Sequence, residues 1–200
     1  METISILGVR ISNLDRAALL AKAKEFLADD KQHFIVTPNP EIILAASRDE
    51  ELFYILNSAD LSLGDGIGVK LAGWLSGKNI KRVTGAEFSF DLLNLATTEK
   101  LKVGVLIWKK GLSKKTEVEN ALRAKYPGLE FIVEAVERDA AALPQGDFID
   151  FAPAIILVGL GFPYQEKFIF HQLKNIPAAK IMMGVGGTID FLTGRRRRAP

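Results

Sequence analysis

Cysteine is absent from the 200-residue chain, which excludes disulfides, thiolate metal sites and a cysteine nucleophile. Histidine is nearly absent. His33 and His171 are the only two, too few for a histidine-rich metal centre. No Asp-x-Asp occurs, so the carboxylate pair that often holds a divalent ion on a diphosphate is missing. There is also no Gly-x-Ser-x-Gly elbow, and a serine triad is left without support. The longest apolar run, Phe151 to Phe162, is broken by Pro153, Gly159 and Gly161 and is too short to span a bilayer. Met1-Glu2-Thr3 is not a basic segment followed by an apolar one, so no secretory signal is evident. The expected location is the cytoplasm, or the inner face of the cell membrane.

What remains is an ordinary globular composition, 48% hydrophobic and 25% charged, long enough to fill one α/β core. The formal charge is +2, and Arg195, Arg196, Arg197 and Arg198 form one terminal block. Without that block the chain is slightly acidic, which argues against nucleic acid as a partner. An anionic leaflet would attract such a block by about 1 kcal/mol per basic residue close to the surface. A homo-oligomer is left open. The division expected is a single domain over residues 1–194 and a basic tail over 195–200.

Along the chain, helix-period and strand-period segments alternate without a linker or repeat. Ile4, Ile6, Val9 and Ile11 alternate around Gly8 and predict a small hairpin at a sheet edge. Ser12-Asn13-Leu14-Asp15 opens a helix. Phe34-Ile35-Val36 is a buried strand ending in Thr37-Pro38-Asn39-Pro40, where Asn39 suits an N-cap and Pro40 a first helical turn. Further strands are expected at Leu61–Leu63, Lys102–Ile107, Phe131–Val136, Ile155–Val158 and Ile181–Met183. Glu137–Asp150 reads as helix or loop. Apolar strands alternating with helices predict a doubly wound α/β fold, its sheet mostly parallel and covered by helices on both faces, with a small N-terminal hairpin.

The stretch around which this pattern is organised is Gly64-Asp65-Gly66. It lies between the Leu61 strand and a helix on which Val69, Leu71, Ala72, Trp74 and Leu75 recur at helical spacing. Ligands of open α/β sheets bind beyond the carboxyl ends of the strands, where this turn lies. A short carboxylate there can cap the following helix or serve as a general base. Thr37 and Asn39 share its rim, either as turn residues or as substrate contacts. Arg82, in the loop Lys81–Gly85, reads as a solvated charge or an anion clamp. Two further strands run into Gly159-Leu160-Gly161 and Gly184-Val185-Gly186-Gly187. Each glycine turn is either tight βα packing or a phosphate cradle of backbone N–H groups at a helix start. Gly159-x-Gly161 lacks the third glycine of a dinucleotide fingerprint, since Tyr164 stands there, which weakens a nicotinamide oxidoreductase. A diphosphate here would be neutralised by helix N-termini and arginine rather than by metal.

These motifs occur in a particular order: Thr37-Pro38-Asn39, Asp65-Gly66-x-Gly68, Arg82-Val83-x-Gly85, Gly159-x-Gly161-x-Pro163-x-Gln165-Glu166-Lys167, and Gly184-Val185-Gly186-Gly187-x-x-Asp190-Phe191. With Gly194 and Arg198-Ala199-Pro200 they closely resemble the WecG/TagA/CpsF family of glycosyltransferases over almost the whole chain. The resemblance implies inverting transfer of N-acetylmannosamine from a UDP-sugar donor, with no metal and no cofactor. It implies an acceptor of N-acetylglucosamine linked to undecaprenyl diphosphate, hence a membrane surface. A related UDP-hexose or UDP-mannosaminuronate transferase is the alternative. The family's motif aspartate falls on Asp65 as the base, and its pocket residues fall on Thr37, Asn39 and Gln165. UDP is expected across the last two glycine turns, near Gly159, Gly161, Gly186, Gly187 and Asp190. Two departures stand out. Trp108-Lys109-Lys110 replaces a glycine pair of many relatives, and family chains continue past Arg-Ala-Pro. Residues 195–200 are therefore the expected start of a membrane-associated segment.

Overall fold

The computed structural model describes residues 2–75, 77–78, 80–138, 144 and 146–197, apart from the side chains of Ile67, Ala72 and Leu75. Arg198-Ala199-Pro200, and most of the weakly patterned stretch before Gly146, lie outside the described residues.

β1 (Thr3–Ile6) and β2 (Val9–Ser12) pair antiparallel. They form a sheet of their own rather than an edge of the main one. A side chain joins the two: Ser62 donates its backbone N–H to Ser12 Oγ at 3.1 Å. α1 (Arg16–Ala28) is capped by Asp15, which accepts from Ala18. β3 (His33–Val36) runs into α2 (Pro40–Ala46), with Asn39 as its N-cap and Pro40 in its first turn, as predicted. α3 (Glu50–Ser58), β4 (Leu61–Ser62), α4 (Ile67–Leu75) and α5 (Gly85–Glu99) follow. Next come β5 (Val103–Trp108), α6 (Lys115–Lys125), β6 (Phe131–Val136) and the single turn α7 (Asp147–Asp150). β7 (Ile155–Gly159), α8 (Tyr164–Gln172), β8 (Ile181–Gly184) and α9 (Thr188–Leu192) complete the order.

Six strands pair in parallel in the order β4-β3-β8-β7-β5-β6. Because successive side chains point to opposite faces, each strand feeds two cores. Ile35, Val105, Leu157 and Met183 pack with α1, α5, α6 and α9. Phe34, Val36, Leu106, Ile156, Val158 and Met182 pack with the hairpin and with α2, α3, α4, α7 and α8. The sheet is thus covered on both faces, which explains why its strands read as unbroken apolar runs.

Two details depart from the periodicity. On α4, Leu71 and Trp74 are 54% and 71% exposed instead of facing the core. Among the described side chains of this helix Val69 is buried, and Gly73 packs closely, since a Cβ there would sit only 2.5 Å from Ile80. In addition, the last glycine turn is followed at once by the five-residue α9, an element the periodicity does not mark.

Candidate active site

Parallel strands bring all their carboxyl ends to one edge. That edge collects Thr37 after β3, Asp65 after β4, Trp108 ending β5, Arg138 after β6, Gly159 ending β7, and the turn from Gly184, which ends β8, to Gly187.

Asp65 is held by its backbone and by its carboxylate. Its N–H donates to Pro38 O at 3.0 Å, tying the turns after β3 and β4 together. Its Oδ2 accepts from the backbone N–H of Gly85 at 3.1 Å. The helix it meets in this way is α5, with the positive end of a fifteen-residue dipole against the carboxylate. Glycine is required at that contact, because a Cβ on Gly85 would lie 2.8 Å from Thr37 Cγ2. Gly68 serves a similar close approach, since a Cβ there would meet Pro40 at 2.6 Å. Thr84 caps α5 in a capping box with Glu87.

Thr37 is buried and donates from Oγ1 to Gly184 O at 3.2 Å. Asn39 is half-buried on the same rim, and its Oδ1 is engaged by Ile42 N–H at 2.9 Å, which is the capping role. Arg82 is exposed in the loop leading to Gly85. Gln165 is 3% exposed in the first turn of α8. Its Oε1 accepts from Gly186 N–H at 2.9 Å, and its Nε2 donates to Glu166 Oε1 at 2.8 Å. A Cβ on Gly184 would lie 2.9 Å from Gln165 Nε2, so Gln165 lies directly on that turn. Contacts therefore run without a gap from Asp65 through Gly85, Thr37, Gly184 and Gln165 to Gly186.

Beyond Gly186 lies a cavity of about 300 Å³, lined in part by Gly159, Gly161, Gly186, Gly187 and Asp190. All five residues expected around a nucleotide thus share one space. Asp190 Oδ1 accepts from Ser113 Oγ at 2.7 Å, and Ser113 Oγ lies 2.7 Å from Thr193 Oγ1. The cavity also holds residues that the sequence pattern does not single out. Arg138 stacks 3.6 Å above the Trp108 ring and lies 5.4 Å from that of Tyr164. Its Nε is buried without a hydrogen-bond partner among the described residues. Gly161 has φ +75°, and a Cβ on it would stand 3.0 Å from the Arg138 guanidinium. Trp108, at the departure from the glycine pair, is therefore the platform for Arg138.

Arg196 lines the same cavity, its backbone N–H bonded to Asp190 O at 3.0 Å. Arg195 pairs with Glu117. The terminal arginine block is thus partly folded onto the domain. Arg138 lies in a stretch without periodicity, and the basic run read as a membrane-facing block gives no sign that Arg196 lines the cavity. Gly186 N–H, offered by sequence to a phosphate, is engaged by Gln165, whereas Gly187 is exposed with open space beside it. Among the described residues no cluster of His, Asp and Glu is placed to hold a metal ion. No helix among them is long and apolar enough to cross a membrane.

The chain is similar to known proteins over almost its whole length. The model of the glycosyl transferase WecG/TagA/CpsF family matches residues 4–200. A protein of Staphylococcus aureus (strain MRSA252) is 32% identical over 98% of this chain and 78% of its own length. One of Bacillus subtilis (strain 168) is 28% identical over 100% of this chain and 78% of its own. Both bear the name N-acetylglucosaminyldiphosphoundecaprenol N-acetyl-beta-D-mannosaminyltransferase.

Proposed function

From the premise that the chain belongs to the WecG/TagA/CpsF family of glycosyltransferases, we propose that it moves N-acetylmannosamine from UDP to the 4-hydroxyl of N-acetylglucosamine on undecaprenyl diphosphate. That step belongs to the synthesis of the wall teichoic acid linkage unit. The observation that carries the reading is the unbroken path from Asp65 to the arginine-lined cavity. Along it a fixed carboxylate and a cavity lined by two arginines share one rim.

Asp65, as carboxylate, takes the proton of the acceptor hydroxyl while that oxygen bonds to the anomeric carbon. The bond from the anomeric carbon to the UDP oxygen breaks on the opposite face, UDP keeps the electron pair, and the configuration inverts. Arg138 and Arg196 offset the charge that develops on the diphosphate. Thr37, Asn39 and Gln165 orient the sugars, and Arg82 stands at the acceptor side. Since the acceptor is a lipid, the rim works against an anionic membrane surface, with the protein peripheral to it.

A structure with UDP tests the donor side. Diphosphate oxygens are expected near Gly161, Gly187, Arg138 and Arg196, and UDP on the opposite edge of the sheet would overturn the assignment. Transfer assayed in EDTA should keep its rate, and strong inhibition would count against the metal-free route.

A further inference from the structure

We propose that Glu166 is a positioning residue that fixes the amide of Gln165 in one orientation from inside the core. This inference rests on the reading that Gln165 touches a sugar substrate.

Gln165 and Glu166 follow Pro163 and Tyr164 at the start of α8, and both are withdrawn from water, at 3% and 1% exposure. Each end of the Gln165 amide has a partner of one polarity. Its carbonyl meets the N–H of Gly186, and its NH₂ meets Glu166 Oε1. Turning the amide over would set N–H against N–H at Gly186, and its oxygen would be met at Glu166 only if that carboxyl turned a proton toward it. Gly186 alone would permit rotation about its bond, whereas the second contact removes it.

The requirement at Glu166 is an acceptor oxygen, which a neutral carboxyl supplies as well as a carboxylate. Burial pushes this carboxyl above the ordinary glutamate value, the direction in which it keeps its proton. Its Oε2 has no hydrogen-bond partner among the described residues. α8 packs on β3, β7, β8 and α3, where an apolar side chain would avoid taking a carboxyl out of water. Stability therefore gives no reason for a glutamate here, and the contact with Gln165 does.

Melting temperature and turnover of UDP-N-acetylmannosamine with a lipid-diphosphate-linked N-acetylglucosamine test this in four variants of the full chain. Glu166→Met removes the acceptor at similar volume, and Glu166→Asp withdraws it from reach. Both should slow turnover by about 10²-fold, the scale of a misplaced orienting group, with the melting temperature of the Met variant equal to or above wild type. Glu166→Gln keeps an acceptor oxygen and should stay within about threefold of wild type. Wild-type turnover in both the Met and Asp variants, with Gln165→Ala slow, would overturn the inference and leave the reading of Gln165 standing. Normal turnover in Gln165→Ala would remove that reading and this inference together. A Gln variant as slow as the Met variant would overturn the positioning role.

Discussion

Asp65 Oδ2 accepts the backbone N–H of Gly85, a residue twenty positions further along the chain. The bond makes the first amide of α5 a fixed partner for the proposed base. Asp65→Asn retains an acceptor oxygen for that amide, so the fold should persist. Turnover should fall by about 10²–10⁴-fold, the range for a lost general base, with UDP affinity little changed. Initial rates and titration calorimetry check both, and near-normal turnover would reduce Asp65 to a bracket between two turns.

The other side of that bond is equally exposed to test. Gly85→Ala puts a methyl 2.8 Å from Thr37 Cγ2, with Thr37 buried and bonded to Gly184. Overpacking of this kind costs about 1–3 kcal/mol. Urea unfolding should show that loss, with turnover reduced as well because the amide facing Asp65 shifts. An unchanged midpoint would mean that Thr37 yields freely.

Arg138 is predicted to carry donor affinity. Hydrogen bonds to charged groups contribute about 1.5–3 kcal/mol, so Arg138→Ala should weaken UDP binding by about tenfold or more. Arg138→Lys should recover little, since stacking 3.6 Å above Trp108 depends on a planar guanidinium. Equal UDP affinity in wild type and both variants would place the diphosphate elsewhere.

A pH dependence follows from the burial of Glu166. Its carboxyl titrates above the ordinary value of 4.5 in the folded chain, so the folded state holds the proton more tightly than the unfolded one. Its contribution is complete below the unfolded value and is lost as pH rises through the raised one. Glu166→Gln has no such proton. Its melting temperature should therefore gain on wild type as pH rises through the interval above the ordinary glutamate value. All other carboxylates are common to both chains and cancel in the difference. A constant gap across that interval would show that the buried carboxyl does not titrate there.

Much of this architecture was legible because the sheet is parallel and doubly covered. Apolar strands such as Ile155–Val158 announce themselves, and Asn39-Pro40 marks a helix start by cap chemistry that needs no tertiary context. Asp65 stood out because two glycines flank it at a strand end. What sequence could not supply was the partner of each group. The Asp65 carboxylate reaches Gly85, and Gln165 reaches Gly186 at a separation of twenty-one residues; both contacts exist only once the strands are ordered. Periodicity also misplaced Leu71 and Trp74, which are exposed on α4, whereas Gly73, which carries no hydrophobic signal, packs closely against Ile80.

The turn Gly184–Gly187 is touched from both directions, by Thr37 at Gly184 O and by Gln165 at Gly186 N–H. Under the proposed reading it is a fulcrum shared by the acceptor and donor sides of the rim. A displacement of this one loop moves both substrates' contacts at once, so their affinities cannot drift independently under substitution there. Sequence change that retunes one sugar without disturbing the other is accordingly confined to the outer ends of the rim, at the Arg82 loop on one side and the Trp108–Arg138 stack on the other.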